Sequence, residues 1–76
     1  MEIKVLGGGC EKCETLLKET QKAVAAVKPD ATIEYVTDWG RIMDYGIMTT
    51  PALMIDGKVV STGRVLRQAD IESMIK

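Results

Sequence analysis

Cys10 and Cys13 are the only cysteines in the chain, and they close the run Gly7-Gly8-Gly9-Cys10-Glu11-Lys12-Cys13. A helix that begins at Cys10 aims unsatisfied backbone N–H groups and the positive end of its dipole at that sulfur, which favours thiolate over thiol. The thiolate is the reactive form, so this placement makes a nucleophile. The three glycines have no Cβ to obstruct a tight turn or a partner chain lying against the sulfurs. Two cysteines can also be no more than small buried hydrophobes. The joint occurrence of strand, glycine turn, Cys-x-x-Cys and helix favours dithiol chemistry instead.

The elements that must position this pair lie on either side of it. Residues 2–6 alternate and then turn apolar, which predicts a short strand with Ile3 and Val5 facing inward together. Over residues 11–28 the pattern becomes helical, with Cys13, Leu16, Leu17, Thr20, Val24 and Val27 on one stripe and charged residues opposite. Glu11 and Glu14 suit the first turn, Lys28 the last, and Pro29-Asp30 stops the helix. Cys13 thus falls on the apolar stripe and Cys10 at the cap, so Cys10 is expected to be the accessible nucleophile and Cys13 the resolving thiol. Between and beside them, Lys12 would lower a neighbouring thiol pKa while Glu11 and Glu14 would raise it, which leaves the direction open.

Residues 31–37 alternate with β-branched and aromatic side chains, a second strand on which Ile33 and Tyr35 share a face. Asp38 is a fair N-cap for a short helix over residues 39–45, with Gly46 at its end. Trp39 and Tyr45 are expected to pack rather than flank the site, and Met43, Met48, Met54 and Met74 to belong to the core. Residues 52–55 and 58–62 read as strands joined by Asp56-Gly57, a strong hairpin signal, and Pro51 at a strand start stays outside the ladder. Residues 68–76 give a closing helix with Ile71, Met74 and Ile75 at helical spacing, although Leu66-Arg67 offer no usual cap. The order is therefore β-α-β-α-β-β-α, an α/β fold with a mixed four-stranded sheet and helices on both faces. Its candidate site lies at the C-terminal end of the first strand, where open α/β sheets usually place one.

Composition narrows the function. A chain of 76 residues is expected to form a single domain, residues 1–76, and its 46% hydrophobic and 28% charged content is that of an ordinary globular protein. A net charge of −1 and the absence of Phe argue against nucleic acid and against an anionic membrane as partners. No basic segment leads into an apolar stretch and no run is long enough to span a bilayer, so a cytoplasmic location is expected. There a Cys-x-x-Cys pair is more often catalytic or metal-binding than structural.

Strand-Gly-x-Gly-Cys10-x-x-Cys13-helix, the Thr50-Pro51 step before a strand, and the Asp56-Gly57 hairpin leading to Gly63-Arg64-Val65 together resemble the thioredoxin/glutaredoxin superfamily. The likeness spans the whole chain and is strongest to the small redox-active disulfide proteins of archaea and bacteria. The resemblance implies a thioredoxin-like fold, a cis Pro51 packed beside the sulfurs, and a Thr50 backbone free to pair with an extended substrate. It also implies that Gly63 lets the substrate approach from the other side. Gly8, Gly9, Glu11 and Lys12 would flank the site. The chain departs from the family in having no aromatic before Cys10 and Glu11-Lys12 between the cysteines. Nor does the first strand carry an inward acid, since Glu2 and Lys4 have the opposite parity to Ile3 and Val5. The proton of Cys13 would then go to water or substrate.

The expected activity is thiol–disulfide exchange on protein disulfides, with no cofactor and no resident metal, by a monomer that draws electrons from a thioredoxin-reductase-like or other donor. Two other readings stay open. Two thiolates at a strand-to-helix turn also suit a Cu(I) carrier, although such domains usually run βαββαβ and have a Met before the first Cys. A redox-sensing binding module would keep the fold and the pair without turnover.

Overall fold

The alternation in Glu2–Leu6 builds β1, which buries Ile3 and Val5 on one side of the sheet and Leu6 on the other. The computed structural model describes residues 1–76 and continues with α1 (Glu11–Val27), β2 (Thr32–Val36), α2 (Trp39–Asp44), β3 (Ala52–Ile55), β4 (Lys58–Thr62) and α3 (Gln68–Ile75). This is the order read from the sequence. The ends differ by single residues: β2 lacks Ala31 and Thr37, and the three helices stop one residue earlier than their periodicity suggests.

The four strands lie in the order β2-β1-β3-β4. β1 and β2 are parallel, with Ile3 opposite Ile33 and Val5 opposite Tyr35. β3 runs antiparallel to β1, with Leu6 opposite Ala52, and antiparallel to β4. Asp56 at φ 49° and Gly57 at φ 83° form the left-handed two-residue turn that matches the twist of a hairpin. The fold is thus α/β with a mixed four-stranded sheet. It closes on a helix, unlike the βαββαβ order of soft-metal carriers.

Each face of the sheet has its own core. On one, Ile3, Val5 and Leu53 pack with Leu16, Ala23 and Val24 of α1 and Ile71 and Ile75 of α3. On the other, Leu6, Val36, Ala52 and Met54 pack with Ile42 of α2 and with Ile47. Each such aliphatic side chain taken fully from water contributes about 1.5–3 kcal/mol, enough in sum to fix which faces the helices cover. Thr20 is the one polar residue buried in the first core, and its hydroxyl donates to the Leu16 carbonyl at 2.7 Å.

The methionines depart from expectation. Met54 is buried, but Met43, Met48 and Met74 are exposed. The six residues of α2 bury only Ile42, Met48 lies in the loop before β3, and on α3 the inner positions go to Ile71 and Ile75. The start of α3, which lacks a cap of its own, borrows one: the Gln68 N–H donates to Glu19 Oε1 of α1 at 2.9 Å. Asp70 adds a second acceptor for the Arg67 N–H at 3.3 Å.

Candidate functional site

β1 ends at Leu6, and Gly7 extends its pairing by donating its N–H to the Val36 carbonyl at 3.0 Å. The chain then turns through Gly8 and Gly9, the latter at φ 78°. Gly7 leaves room for a sulfur. A Cβ built there would overlap Cys13 Sγ and lie 2.7 Å from Cys13 Cβ. A Cβ on Gly8 would meet the Trp39 ring at 2.8 Å, so the half-exposed indole lies over the glycine turn instead of packing inward as expected.

Cys10 is the N-cap of α1, with φ −77° and ψ 165°, and its sulfur takes the place of a capping oxygen by accepting the Cys13 N–H at 3.3 Å. The two cysteines are free, and their sulfurs stand 2.7 Å apart. Cys10 is exposed whereas Cys13 is fully buried, the split that the apolar stripe of α1 anticipated. Glu11 and Lys12, between them, point to solvent.

Hydrogen bonding to Cys10 and burial of Cys13 shift the two thiol pKa values in opposite directions. The Cys13 thiol donating to Cys10 Sγ, followed by the Cys13 N–H, holds Cys10 below the ordinary thiol range against a smaller opposing effect of burial; the Lys12 amide adds to the lowering. Burial pushes Cys13 up, and its bond and charge repulsion with Cys10 push it further. The direction left open by the flanking charges is therefore set by donors aimed at one sulfur.

The second half of the site comes from the other side of β1. The Thr50–Pro51 peptide bond is cis and Pro51 is buried. Leu6 pairs with Ala52, so one further step in the same antiparallel register brings Pro51 opposite Gly7, the residue that houses Cys13. Gly63, at φ 70°, donates its N–H to the Pro51 carbonyl at 2.7 Å, and a Cβ there would meet Thr49 Cγ2 at 2.8 Å. Thr50 is half-buried and takes part in no backbone–backbone hydrogen bond. Gly7 with Cys13 against it, Pro51 and Gly63 thus follow one another across the sheet where β1 ends and β3 begins. Trp39 and Gly7 belong to this site as well. The run of three glycines was the signal for Gly7; for Trp39 the sequence offered flanking only as the less favoured alternative to packing.

No group of three or more His, Cys, Asp or Glu side chains gathers anywhere in the chain, so the two sulfurs are what it offers a soft ion. No helix is long and apolar enough to cross a membrane.

A four-stranded α/β fold with a paired dithiol at the cap of its first helix defines a class of small redox proteins. The thioredoxin domain family matches residues 1–76, and the chain belongs to it. It is 31% identical over 75 residues to a thioredoxin of Methanothermobacter thermautotrophicus, covering 99% of this chain and 97% of the relative. It is also 31% identical over 74 residues to a thioredoxin of Methanocaldococcus jannaschii, covering 97% of this chain and 85% of the relative.

Proposed function

We propose that the chain is a thiol–disulfide oxidoreductase that reduces protein disulfides through Cys10 and Cys13. The observation that carries this reading is the division between the sulfurs: one exposed and favoured as thiolate, its neighbour 2.7 Å away, buried and favoured as thiol. Cys10 attacks one sulfur of a substrate disulfide. That S–S bond breaks, one substrate sulfur leaves and takes a proton from solvent, and a mixed disulfide to Cys10 forms. Cys13 then loses its proton to solvent or to the departing sulfur and attacks Cys10 Sγ, forming Cys10–Cys13 and releasing the second substrate thiol. Two electrons pass from the dithiol to the substrate.

The unpaired backbone of Thr50 beside Pro51 supports pairing with an extended substrate segment, Gly63 borders that segment through its bond to the Pro51 carbonyl, and the indole of Trp39 supplies an apolar wall. On the same reading the 76 residues act as a single domain and a monomer in the cytoplasm, without a cofactor, and a thioredoxin-reductase-like or other donor regenerates the dithiol. The test is trapping. Cys13→Ser should accumulate covalent adducts with disulfide-bearing proteins such as insulin, and Cys10→Ser should not; adducts with the second variant alone would reverse the roles.

A further inference from the structure

An open groove of about 340 Å³ runs beside β4, lined by Val59, Val60, Ser61, Thr62 and Arg64, and the dithiol chemistry has not used it. β4 is the last strand of the sheet, so its outer edge keeps backbone groups free for an extended chain. The strand is bulged: Leu53 faces Ser61 and Met54 faces Val59, which leaves Val60 without a partner on β3. Val59 and Val60 are both exposed and supply the apolar lining. Bulges re-aim side chains near functional sites and spoil an edge for continuous strand pairing. The groove therefore suits a short segment that is anchored elsewhere.

The anchor is the dithiol site. Thr62 and Arg64 stand on either side of Gly63, whose N–H is bonded to the Pro51 carbonyl at 2.7 Å, so the groove opens at the level of the Thr50–Pro51 step. β1 and β4 are two strand spacings apart across β3, about 10 Å, a distance that about three extended residues cover. Arg64 is the charged group of the lining. It is exposed and joins neither ion pair of the chain, Lys22–Glu19 or Arg41–Glu34. A guanidinium meets a carboxylate with two parallel hydrogen bonds. The net charge of −1 gives the chain no general pull on acids, so any selection for them here is local.

We propose that this groove receives the segment of the disulfide substrate that continues beyond the Thr50–Pro51 step, and that Arg64 pairs with a carboxylate side chain on it, about three residues from the substrate's reacting cysteine. The substrate class is thus a protein disulfide with a neighbouring Asp or Glu. The proposal rests on the exchange mechanism proposed above and adds no bond-making step to it. Cys10 and Cys13 do the chemistry, Arg64 contributes to binding, and apolar parts of the segment lie on Val59 and Val60.

The test uses peptides closed by one disulfide and differing only in a single glutamate or lysine, moved through the positions roughly two to four residues from either cysteine. Pre-reduced protein is mixed with excess peptide, quenched in acid and alkylated, and the remaining dithiol is counted by mass, so that the half-saturating concentration and the limiting rate are read separately. At the best position the glutamate peptide should half-saturate at a concentration about threefold lower than the lysine peptide, the scale of a partly solvated ion pair, with similar limiting rates. Arg64→Glu should reverse that order, and added salt should shrink it. Wild-type protein that saturates alike with both peptides at every position overturns the proposal. So does a preference that survives Arg64→Glu, or one confined to the limiting rate. If the wild-type dithiol is oxidised by none of the peptides, the exchange mechanism itself fails and takes the proposal with it.

Discussion

Gly7→Ala separates the role of space from the role of backbone freedom at the site. The added Cβ would overlap Cys13 Sγ and approach Cys13 Cβ to 2.7 Å, and Cys13 is fully buried on the first turn of α1 with no free direction in which to retreat. Forcing a methyl group into such a place costs about 1–3 kcal/mol. The lower unfolded-chain entropy of alanine returns about 0.4–1 kcal/mol. A net loss centred on about 1–2 kcal/mol lowers the melting midpoint of a chain this size by roughly 4–16 °C. The chemistry suffers as well, because a displaced Cys13 no longer donates to Cys10 Sγ, the largest cause of the lowered Cys10 pKa. Gly9→Ala is the control. Its φ of 78° makes alanine unfavourable by about 1–2 kcal/mol, yet open space surrounds the position and both sulfurs stay where they are. Thermal melts followed by circular dichroism should therefore show both variants destabilised, while iodoacetamide modification of Cys10 at neutral pH slows only in Gly7→Ala. A Gly7→Ala protein that keeps the wild-type midpoint and the wild-type Cys10 reactivity refutes the reasoning.

Two further outcomes follow from the electrostatics. Because donors from Cys13 favour the Cys10 thiolate, alkylation of Cys10 should reach half its limiting rate at a lower pH than free cysteine, and Cys13→Ala should move that midpoint back up; coincidence with free cysteine in the wild-type chain counts against the site as described. Glu19 is held below the usual carboxylate range, first by the Gln68 N–H that it caps and then by Lys22. Its folded-state pKa is depressed, so its contribution to stability is complete above the ordinary glutamate value and fades as the pH falls through the lowered one. Glu19→Gln should accordingly melt below the wild type at neutral pH, with the gap closing in acid, and a gap independent of pH would contradict the cap.

How much of this was legible in the sequence depends on the range of the interactions. The capped dithiol, α1 and the Asp56-Gly57 hairpin rest on neighbours within a few residues, and local pattern finds such features. The cap of α3 comes from a carboxylate 49 residues earlier, which no local pattern encodes. Gly7 and Gly9 are the same letter with different work, one making room for a sulfur and the other turning the backbone. Parity placed Tyr35 on one face with Ile33 but could not show that α1 covers that face or that the Tyr35 hydroxyl ends there without a partner. The methionines misled because a spacing compatible with burial does not say which face of a short helix the sheet will cover, and α2 has room to bury only Ile42.

One consequence of the sulfur that begins α1 concerns how a knockout should be built. Cys10 accepts the Cys13 amide as a serine or aspartate oxygen would, so truncation to alanine deletes a nucleophile and unfastens a helix in the same stroke. Serine preserves the fastening and silences the reactivity. Loss of function after alanine replacement would confound two events, whereas the hydroxyl variant reports on sulfur chemistry alone.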